Sequence, residues 1–252
     1  MNRYLKYTLV GFKFKHLTTL EDNHGFMVSH DIIKSITVSN NLDYLIAELH
    51  DGVNISDKEE EIDTYLNHIC FNLILDKDVE FQSPYRKLEL FKDEDKIETN
   101  ERLVFKDCFS FKVTTTANDL YNNIINNETA MGKHFLKYER IFKILHNPSK
   151  VIQFLSLYEF LKELLSEGKD KVEQKNVTDY FKVKNYKFIS FKKTRRDVKY
   201  KFCEDSFTYL RNELAHCEST NDLELYRKLG SDINNDLIRN MLVVLNDIIV
   251  EL

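Results

Sequence analysis

The sequence predicts an α+β protein, with a β-rich N-terminal domain over residues 1–128 and an all-α helical domain over residues 129–252. Two observations predict this order. In several segments of the first half, apolar residues alternate with polar ones, as they do in half-buried strands. From residue 129 onward the apolar residues recur at helical spacing instead. The change of period places the domain boundary near residue 128.

Four segments of the first half are rich in β-branched and aromatic residues and lie between polar turns, which predicts strands. They are residues 3–15, 26–38, 79–91 and 102–114. Segment 57–75 differs, because Ile62, Leu66, Ile69 and Leu73 follow an acidic start at helical spacing. Acidic residues in a first turn suit the helix dipole. We therefore predict a helix over 57–75, and a shorter one over 117–127.

The second half predicts a bundle of four or five helices. Its first helix carries an apolar stripe made of Met131, Phe135, Tyr138, Phe142 and Leu145. Asn147-Pro148 ends this helix. Further helices are predicted over 150–166, 175–182, 203–217 and 234–251. Segment 150–166 is apolar on nearly all sides, so we expect it to be buried on several of them.

Composition and short motifs exclude several functional classes. No Gly-rich phosphate-binding motif occurs, and glycine (6) and proline (2) are scarce. The N-terminus has three lysines among its apolar residues and no cleavage site, so we expect no signal peptide. The cysteines are Cys70, Cys108, Cys203 and Cys217. Their wide spacing favours reduced thiols over a disulfide frame or a zinc site. We expect a cytoplasmic protein that has no membrane span.

Segment 203–218 has the most informative pattern in the chain. On a helix, one side would gather Cys203, Phe207, Leu210, Leu214 and Cys217. The opposite side would gather Asp205, Tyr209, Asn212 and His216, within about 60° of arc. Arg211 lies at the edge of the apolar stripe, where its guanidinium can reach the polar side. The helix therefore presents acid, phenol, amide and imidazole groups away from its own core.

These residue types suit RNA cleavage by the ribose 2′-hydroxyl. The reaction needs a base, an acid and a fixed positive charge beside the phosphate. An unperturbed imidazole titrates at about pH 6.5, so His216 can fill either proton-transfer role. The guanidinium of Arg211 stays charged and can bind two phosphate oxygens. The amide of Asn212 can orient the phosphate or the imidazole.

The hexapeptide RNELAH at 211–216 resembles the signature of HEPN-domain ribonucleases, which lies on a helix of an α-bundle. Segment 154–165 and the last helix also resemble the flanking helices of that family. A β-rich domain ahead of such a bundle is similar to the Apea-like and MauJ-like subgroups. The loose motif also fits Arg140 and His146, but Ile141 follows that arginine where the family has a polar residue. The strict motif is expected only about 0.03 times by chance.

The resemblance implies a metal-independent endoribonuclease without a cofactor, whose active site is completed by homodimerisation. Its catalytic residues would be Arg211, Asn212 and His216, with Tyr209 and Asp205 as accessory residues. The products would be a 2′,3′-cyclic phosphate and a 5′-hydroxyl. The family also implies a bacterial antiphage-defence or toxin effector. The N-terminal domain would then sense a phage trigger or a regulatory partner, select RNA, or restrain the nuclease.

Segment 182–201 holds nine Lys or Arg and one Asp, while the whole chain has a net charge of −5. Aromatic residues are interleaved with these cations, a pairing expected of an RNA surface. We assign RNA binding to Lys192, Lys193, Arg195, Arg196, Lys199 and Lys201. The alternative is that the rings form the core of a β-hairpin and the lysines a solvated face.

Two other functions stay open at this stage. One is a non-catalytic module that binds RNA or nucleotides through the same cleft. The other is a scaffold or regulatory protein whose N-terminal domain binds the partner. Tyr209 could equally pack at a dimer interface. Tyr158 and Glu159 could border the site, although a structural role is favoured for both.

Overall fold

The structure, a computed structural model, describes residues 3–14, 24–28, 30–91, 131–166, 173–193 and 203–252. The chain divides into two compact units, Met1–Phe142 and Lys143–Leu252. The first unit holds a β-sheet and the second holds most of the helices, which confirms the α+β class. The predicted boundary near residue 128, the predicted strand 102–114 and the predicted helix 117–127 lie outside the described residues.

The N-terminal unit is built on a five-stranded antiparallel sheet. Its strands are β1 (Arg3–Phe14), β2 (His24–Met27), β3 (Ile33–Val38), β4 (Tyr44–Leu49) and β5 (Val79–Phe91). They lie in the order β2-β3-β4-β1-β5, so β1 is flanked by β4 and β5. The predicted strands 3–15 and 79–91 correspond to β1 and β5. Strand β4 had no counterpart among the predicted strands.

A bulge keeps one face of β1 in the core along its whole length. The buried residues of this strand are Leu5, Tyr7, Leu9, Phe12 and Phe14. Their numbers change from odd to even between Leu9 and Phe12, where the register against β5 also shifts. Gly11 occupies this point with φ of +82°, a conformation that glycine adopts without steric cost. Between the pairs Val10–Tyr85 and Phe12–Phe81, β5 advances four residues against two in β1, and beyond this irregularity Phe12 lies on the buried face.

The prediction of one strand over 26–38 was wrong, because β2 and β3 pair with each other in antiparallel fashion. His30 lies in the connection between them. Its Nδ1 accepts hydrogen bonds from the backbone N–H groups of Ile32, at 3.2 Å, and Ile33, at 3.3 Å. A side chain that accepts from backbone two and three residues ahead mimics a turn. The local pattern of apolar residues does not contain this information.

Helix α1 (Ile55–Leu75) confirms the helix predicted over 57–75. The four residues that predicted it, Ile62, Leu66, Ile69 and Leu73, are all buried. The ring of Phe71, also on α1, meets the ring of Tyr138 from the next helix edge-on, with centroids 5.1 Å apart. Tyr138 belongs to α2 (Met131–Leu145), the helix predicted from the apolar stripe.

The C-terminal unit contains five helices and a short β-ribbon among the described residues. The helices are α3 (Lys150–Leu165), α4 (Gln174–Lys184), α5 (Ser206–Thr220), α6 (Leu223–Ser231) and α7 (Asn235–Glu251). Strands β6 (Phe191–Lys193) and β7 (Cys203–Asp205) pair antiparallel. Helices α3, α4 and α7 confirm predictions. Two corrections follow: α5 begins three residues later than predicted, and the ribbon means that this domain is not all-α.

Three aromatic rings fix the position of α5 in its unit. Phe207 is buried, and its ring centroid lies 6.2 Å from that of Phe154 on α3 and 5.6 Å from that of Phe181 on α4. Truncating such a residue to alanine typically costs about 3–5 kcal/mol. Helix α5 is therefore held by the core through its first turn.

Among the described residues, no helix is long and apolar enough to cross a membrane. The thiols of Cys70, Cys203 and Cys217 are free, and two of them, Cys70 and Cys217, are buried. Cys108 lies outside the described residues.

We predict that His30 makes the stability of the protein depend on pH. Burial lowers the pKa of its imidazole below the ordinary value of 6.5, against the opposing effect of Asp31 and Glu61 and with a smaller lowering by His50. The unfolded chain therefore binds the proton more readily than the folded chain. The free energy of unfolding should fall as the pH drops below 6.5.

Chemical denaturation on either side of that pH measures the effect. His30→Asn keeps an acceptor for the turn but cannot titrate, so its stability should fall less on acidification than that of the wild type. His146→Asn, in the other unit, serves as the matched control and should behave like the wild type. An equal loss in His30→Asn and the wild type would contradict the assignment.

Candidate active site

A buried carboxylate starts α5. Oδ1 of Asp205 accepts hydrogen bonds from the backbone N–H groups of Phe207, at 3.0 Å, and Thr208, at 2.9 Å. Its Oδ2 accepts from the hydroxyl of Thr178 on α4, at 2.6 Å. Asp205 has no exposed surface. The expectation that it shares the polar face with Asn212 and His216 is therefore corrected: Asp205 ends β7 and caps the helix.

The apolar side of α5 follows the sequence prediction in part. Phe207, Leu214 and Cys217 are buried. Leu210 is half-buried, and so is Cys203, which lies on β7 rather than on the helix. The helix thus packs through the side that the sequence indicated, and its motif residues lie at the edge of the core or outside it.

Arg211 is held at the side of α5 by two polar contacts. Its Nη2 lies 3.4 Å from Oε1 of Glu159 on α3, and its Nη1 lies 3.4 Å from Oδ1 of Asn212. The other carboxylate oxygen of Glu159 accepts from Lys162 at 2.9 Å. An ion pair of this exposure contributes little stability. The guanidinium is therefore oriented without being locked, and an incoming phosphate can compete with Glu159.

Asn212 is the most highly connected polar side chain of the motif. Oδ1 of Asn212 accepts a hydrogen bond from Gln174 at 2.8 Å. Nδ2 of Asn212 donates to Oε1 of Gln174 at 3.1 Å and to Oε1 of Glu204 at 3.2 Å. With Arg211 as the second donor to Oδ1, both amide hydrogens and both acceptor sites are used. An amide that is fully occupied in this way is suited to position Arg211 rather than to bind substrate.

His216 lies one helical turn beyond Asn212, in the last part of α5, and its side chain is exposed. Its backbone carbonyl accepts hydrogen bonds from the hydroxyls of Ser219 and Thr220, both at 2.8 Å. Its ring makes no hydrogen bond with any residue that the structure describes. The imidazole is thus open to solvent, and within one chain it makes no hydrogen bond with Arg211 or Asn212.

The β6–β7 ribbon lies beside this row of residues. Lys192 on β6 places its ammonium 4.8 Å from the centroid of the half-buried Tyr209 ring. Glu204, opposite Lys192 in the ribbon, contacts Asn212. The structure therefore brings Tyr209 and Lys192, two predicted site residues from separate parts of the sequence, into contact.

Most other residues of the basic segment either have partners in the structure or lie outside the residues that it describes. Lys182 and Lys184, at the end of α4, pair with Asp179 and Glu251. The ring of Phe188 stacks between those of Tyr186, at 5.2 Å, and Phe207, at 6.5 Å, but Phe188 precedes the ribbon. Within the ribbon Phe191 is exposed, so the described residues do not show the aromatic hairpin core of the alternative. Four assigned residues, Arg195, Arg196, Lys199 and Lys201, lie outside the described residues. Of Lys193 only the backbone is described, in β6.

Sequence reasoning missed Gln174 and Glu204, the two partners of Asn212. Gln174 is 38 residues away in the chain and meets Asn212 only because α4 packs beside α5. Glu159, which was expected only as a neighbour, reaches Arg211. Tyr158 is structural, since its buried hydroxyl bonds to Thr208 at 2.8 Å and burial raises the pKa of its phenol.

The chemistry available here is that of organic side chains. Among the described ranges, no three His, Cys, Asp or Glu side chains lie close enough together to hold a metal ion. Arg211, Asn212 and His216 supply a guanidinium, an amide and an imidazole along less than two turns of one helix. This set can bind an anion and transfer protons.

We predict that Asp205→Ala lowers the free energy of unfolding by about 2–3 kcal/mol, because it removes a helix cap and leaves Thr178 without its buried acceptor. Asp222→Ala is the matched control, since Asp222 caps α6 at the surface by accepting from Leu225 at 3.0 Å. It should cost about 1 kcal/mol. Urea titration measures both variants. Equal losses would show that Asp205 is no more than an ordinary cap.

Comparison with known proteins adds no family to this description. No protein-family model matches the chain, and neither a curated protein nor a solved structure matches it. The resemblance to HEPN ribonucleases therefore stays with the RNELAH hexapeptide and its helical setting. Function has to be inferred from these residues and from the contacts that surround them.

Proposed function

We propose that this protein is a metal-independent endoribonuclease of the HEPN type that acts as a homodimer. One observation carries the proposal: the RNELAH helix combines an oriented but displaceable guanidinium, Arg211, with a solvent-exposed imidazole, His216. Cleavage of RNA requires a cation that can exchange a carboxylate for a phosphate, together with a group that can accept and donate protons.

In the proposed reaction, His216 of one copy takes the proton from a ribose 2′-hydroxyl. The oxygen attacks the adjacent phosphorus, so that the P–O2′ bond forms and the P–O5′ bond breaks. His216 of the second copy gives a proton to the departing 5′-oxygen. Arg211 stabilises the additional negative charge on the phosphate oxygens in the transition state. The products are a 2′,3′-cyclic phosphate and a 5′-hydroxyl.

Helix geometry supports the requirement for two copies. Residues five positions apart on a helix point about 140° away from each other. Arg211 is drawn toward α3 by Glu159, whereas His216 faces solvent. One phosphate is therefore reached more readily by the His216 of one copy and the Arg211 of another. A two-fold dimer supplies two of each group in a single cleft.

The remainder of the chain supplies RNA capture and control in this proposal. Lys192 and the cations that follow it in sequence would bind phosphates near the motif helix. The N-terminal unit would sense a trigger or a partner. A cytoplasmic setting in antiphage defence or toxin action stays a prediction from the family resemblance.

A second candidate is an RNA-binding module without cleavage. It is favoured by the separation of Arg211 from His216 within one chain and by the full occupation of the Asn212 amide. Such a module would bind RNA through Arg211 and the ribbon and would leave the phosphodiester intact.

We predict that the purified protein fragments total RNA in EDTA, leaving 5′-hydroxyl ends. His216→Ala and Arg211→Ala should each lower cleavage by at least about a hundredfold, because each removes a group that acts in the transition state. Sequencing of 5′-hydroxyl ends measures the products.

Arg140→Ala and His146→Ala are the matched controls, since this pair fits the same loose spacing on another helix. Both should cleave like the wild type. Cleavage that persists in His216→Ala would contradict the proposal, and RNA binding without cleavage in the wild type would favour the second candidate.

We also predict that the protein sediments as a dimer at the concentrations at which it is active. Dilution that dissociates the dimer should lower cleavage per chain, because each monomer lacks the second imidazole. Analytical ultracentrifugation and activity measured over the same dilution series test this. A strict monomer with full activity would refute the shared site.

A further inference from the structure

One face of the β6–β7 ribbon covers the polar side of α5. Lys192 and Glu204 are opposite each other in the antiparallel register, so their side chains point to the same face. From that face Glu204 contacts Asn212 at 3.2 Å, and the ammonium of Lys192 lies 4.8 Å from the Tyr209 ring centroid. The ribbon thus brings a cation and an aromatic ring together beside the motif residues.

Neither side chain of this pair makes a hydrogen bond or an ion pair within the described part of the chain. Tyr209 is half-buried, and its hydroxyl makes no hydrogen bond within the described part of the chain. Lys192 is exposed and forms no ion pair with a described carboxylate, although Glu204 is its cross-strand neighbour. Its charge rests on the ring face instead. A ring and a cation left available in this way point to a ligand that can use both.

We propose that the ring of Tyr209 is a subsite for an unpaired nucleobase and that Lys192 covers this ring in the absence of RNA. When RNA binds, a base replaces the ammonium on the ring face, and Lys192 moves to the phosphate of the same strand. An exposed lysine is held on a ring more weakly than a stacked base is, so the exchange favours RNA. This inference rests on the proposed function and adds single-stranded RNA as its substrate class.

The position of the ring fits this role. Tyr209 and His216 are seven residues apart on α5, which places them on one side of the helix and about 10 Å apart along its axis. The stacked base therefore belongs to a nucleotide near the scissile phosphate. Tyr209 itself does not reach that phosphate. Tyr209 acts in binding and register, and takes no part in proton transfer.

Binding of two fluorescent polymers tests the subsite with full-length protein. One is a short oligouridylate whose 2′-hydroxyls are methylated so that it cannot be cleaved, and the other is an abasic chain of equal length built on the same 2′-O-methylated riboses. Wild-type protein should prefer the oligouridylate. Tyr209→Leu should reduce that preference about tenfold, whereas Tyr209→Phe keeps the ring and should retain it. Tyr226→Leu, at a half-buried tyrosine on α6, is the matched control and should behave like the wild type.

Lys192→Gln separates the two parts of the proposal. It should weaken binding of the abasic chain and lower the salt dependence, because it removes a phosphate contact. Binding of the oligouridylate should weaken less, because the base no longer has to displace the ammonium from the ring. A preference for oligouridylate that is unchanged in Tyr209→Leu would overturn the subsite and leave the nuclease proposal standing. A loss of dimerisation in Tyr209→Leu, with binding per dimer unchanged, would also overturn it. A wild type that binds neither polymer would overturn both proposals.

Discussion

Four hydrogen bonds to one side chain, the carboxamide of Asn212, hold the candidate site together. They join α4 through Gln174, the ribbon through Glu204, and the neighbouring Arg211 on α5. A partly buried amide that satisfies all its donors and acceptors is expensive to disturb, because each partner would lose its own bond as well. Through its hydrogen bonds, this amide orients the guanidinium of Arg211 and sets the distance between the ribbon and the helix.

What this arrangement leaves free matters as much as what it holds. The imidazole of His216 is exposed beyond the amide, Lys192 lies on Tyr209, and Glu159 is shared by Arg211 and Lys162. Lys192 and Arg211 can exchange their present neighbours for a nucleic acid, and the imidazole is already open to one. A rigid amide with displaceable charges on both sides is a physical arrangement that suits the binding of a polyanion. Cleavage additionally requires that an imidazole reach the phosphate, which one chain alone does not accomplish.

The sequence predicted those features that depend on spacing along the chain. Helices α1 and α7 are long and periodic, α3 is long and apolar on nearly all sides, and Phe207 and Leu214 pack as the helical wheel indicates. The prediction failed for features that depend on contacts between residues far apart in the chain. Helical spacing predicted that Asp205 lies on the helix. In the structure it pairs with Phe191 in the ribbon and accepts a hydrogen bond from Thr178 instead. Gln174 bears no local signal, since only the packing of α4 brings it to Asn212. The short helix α6 was not predicted, although Leu225, Tyr226 and Leu229 recur at helical spacing.

The central claim is that two copies of the motif helix converge on one phosphodiester. The most direct measurement is a structure of the protein bound to an RNA whose scissile ribose carries no 2′-hydroxyl. We expect the His216 rings of both copies, and at least one Arg211 guanidinium, within hydrogen-bond distance of the same phosphate. A phosphate bound by Arg211 of a single chain, with both imidazoles still facing solvent, would contradict the account.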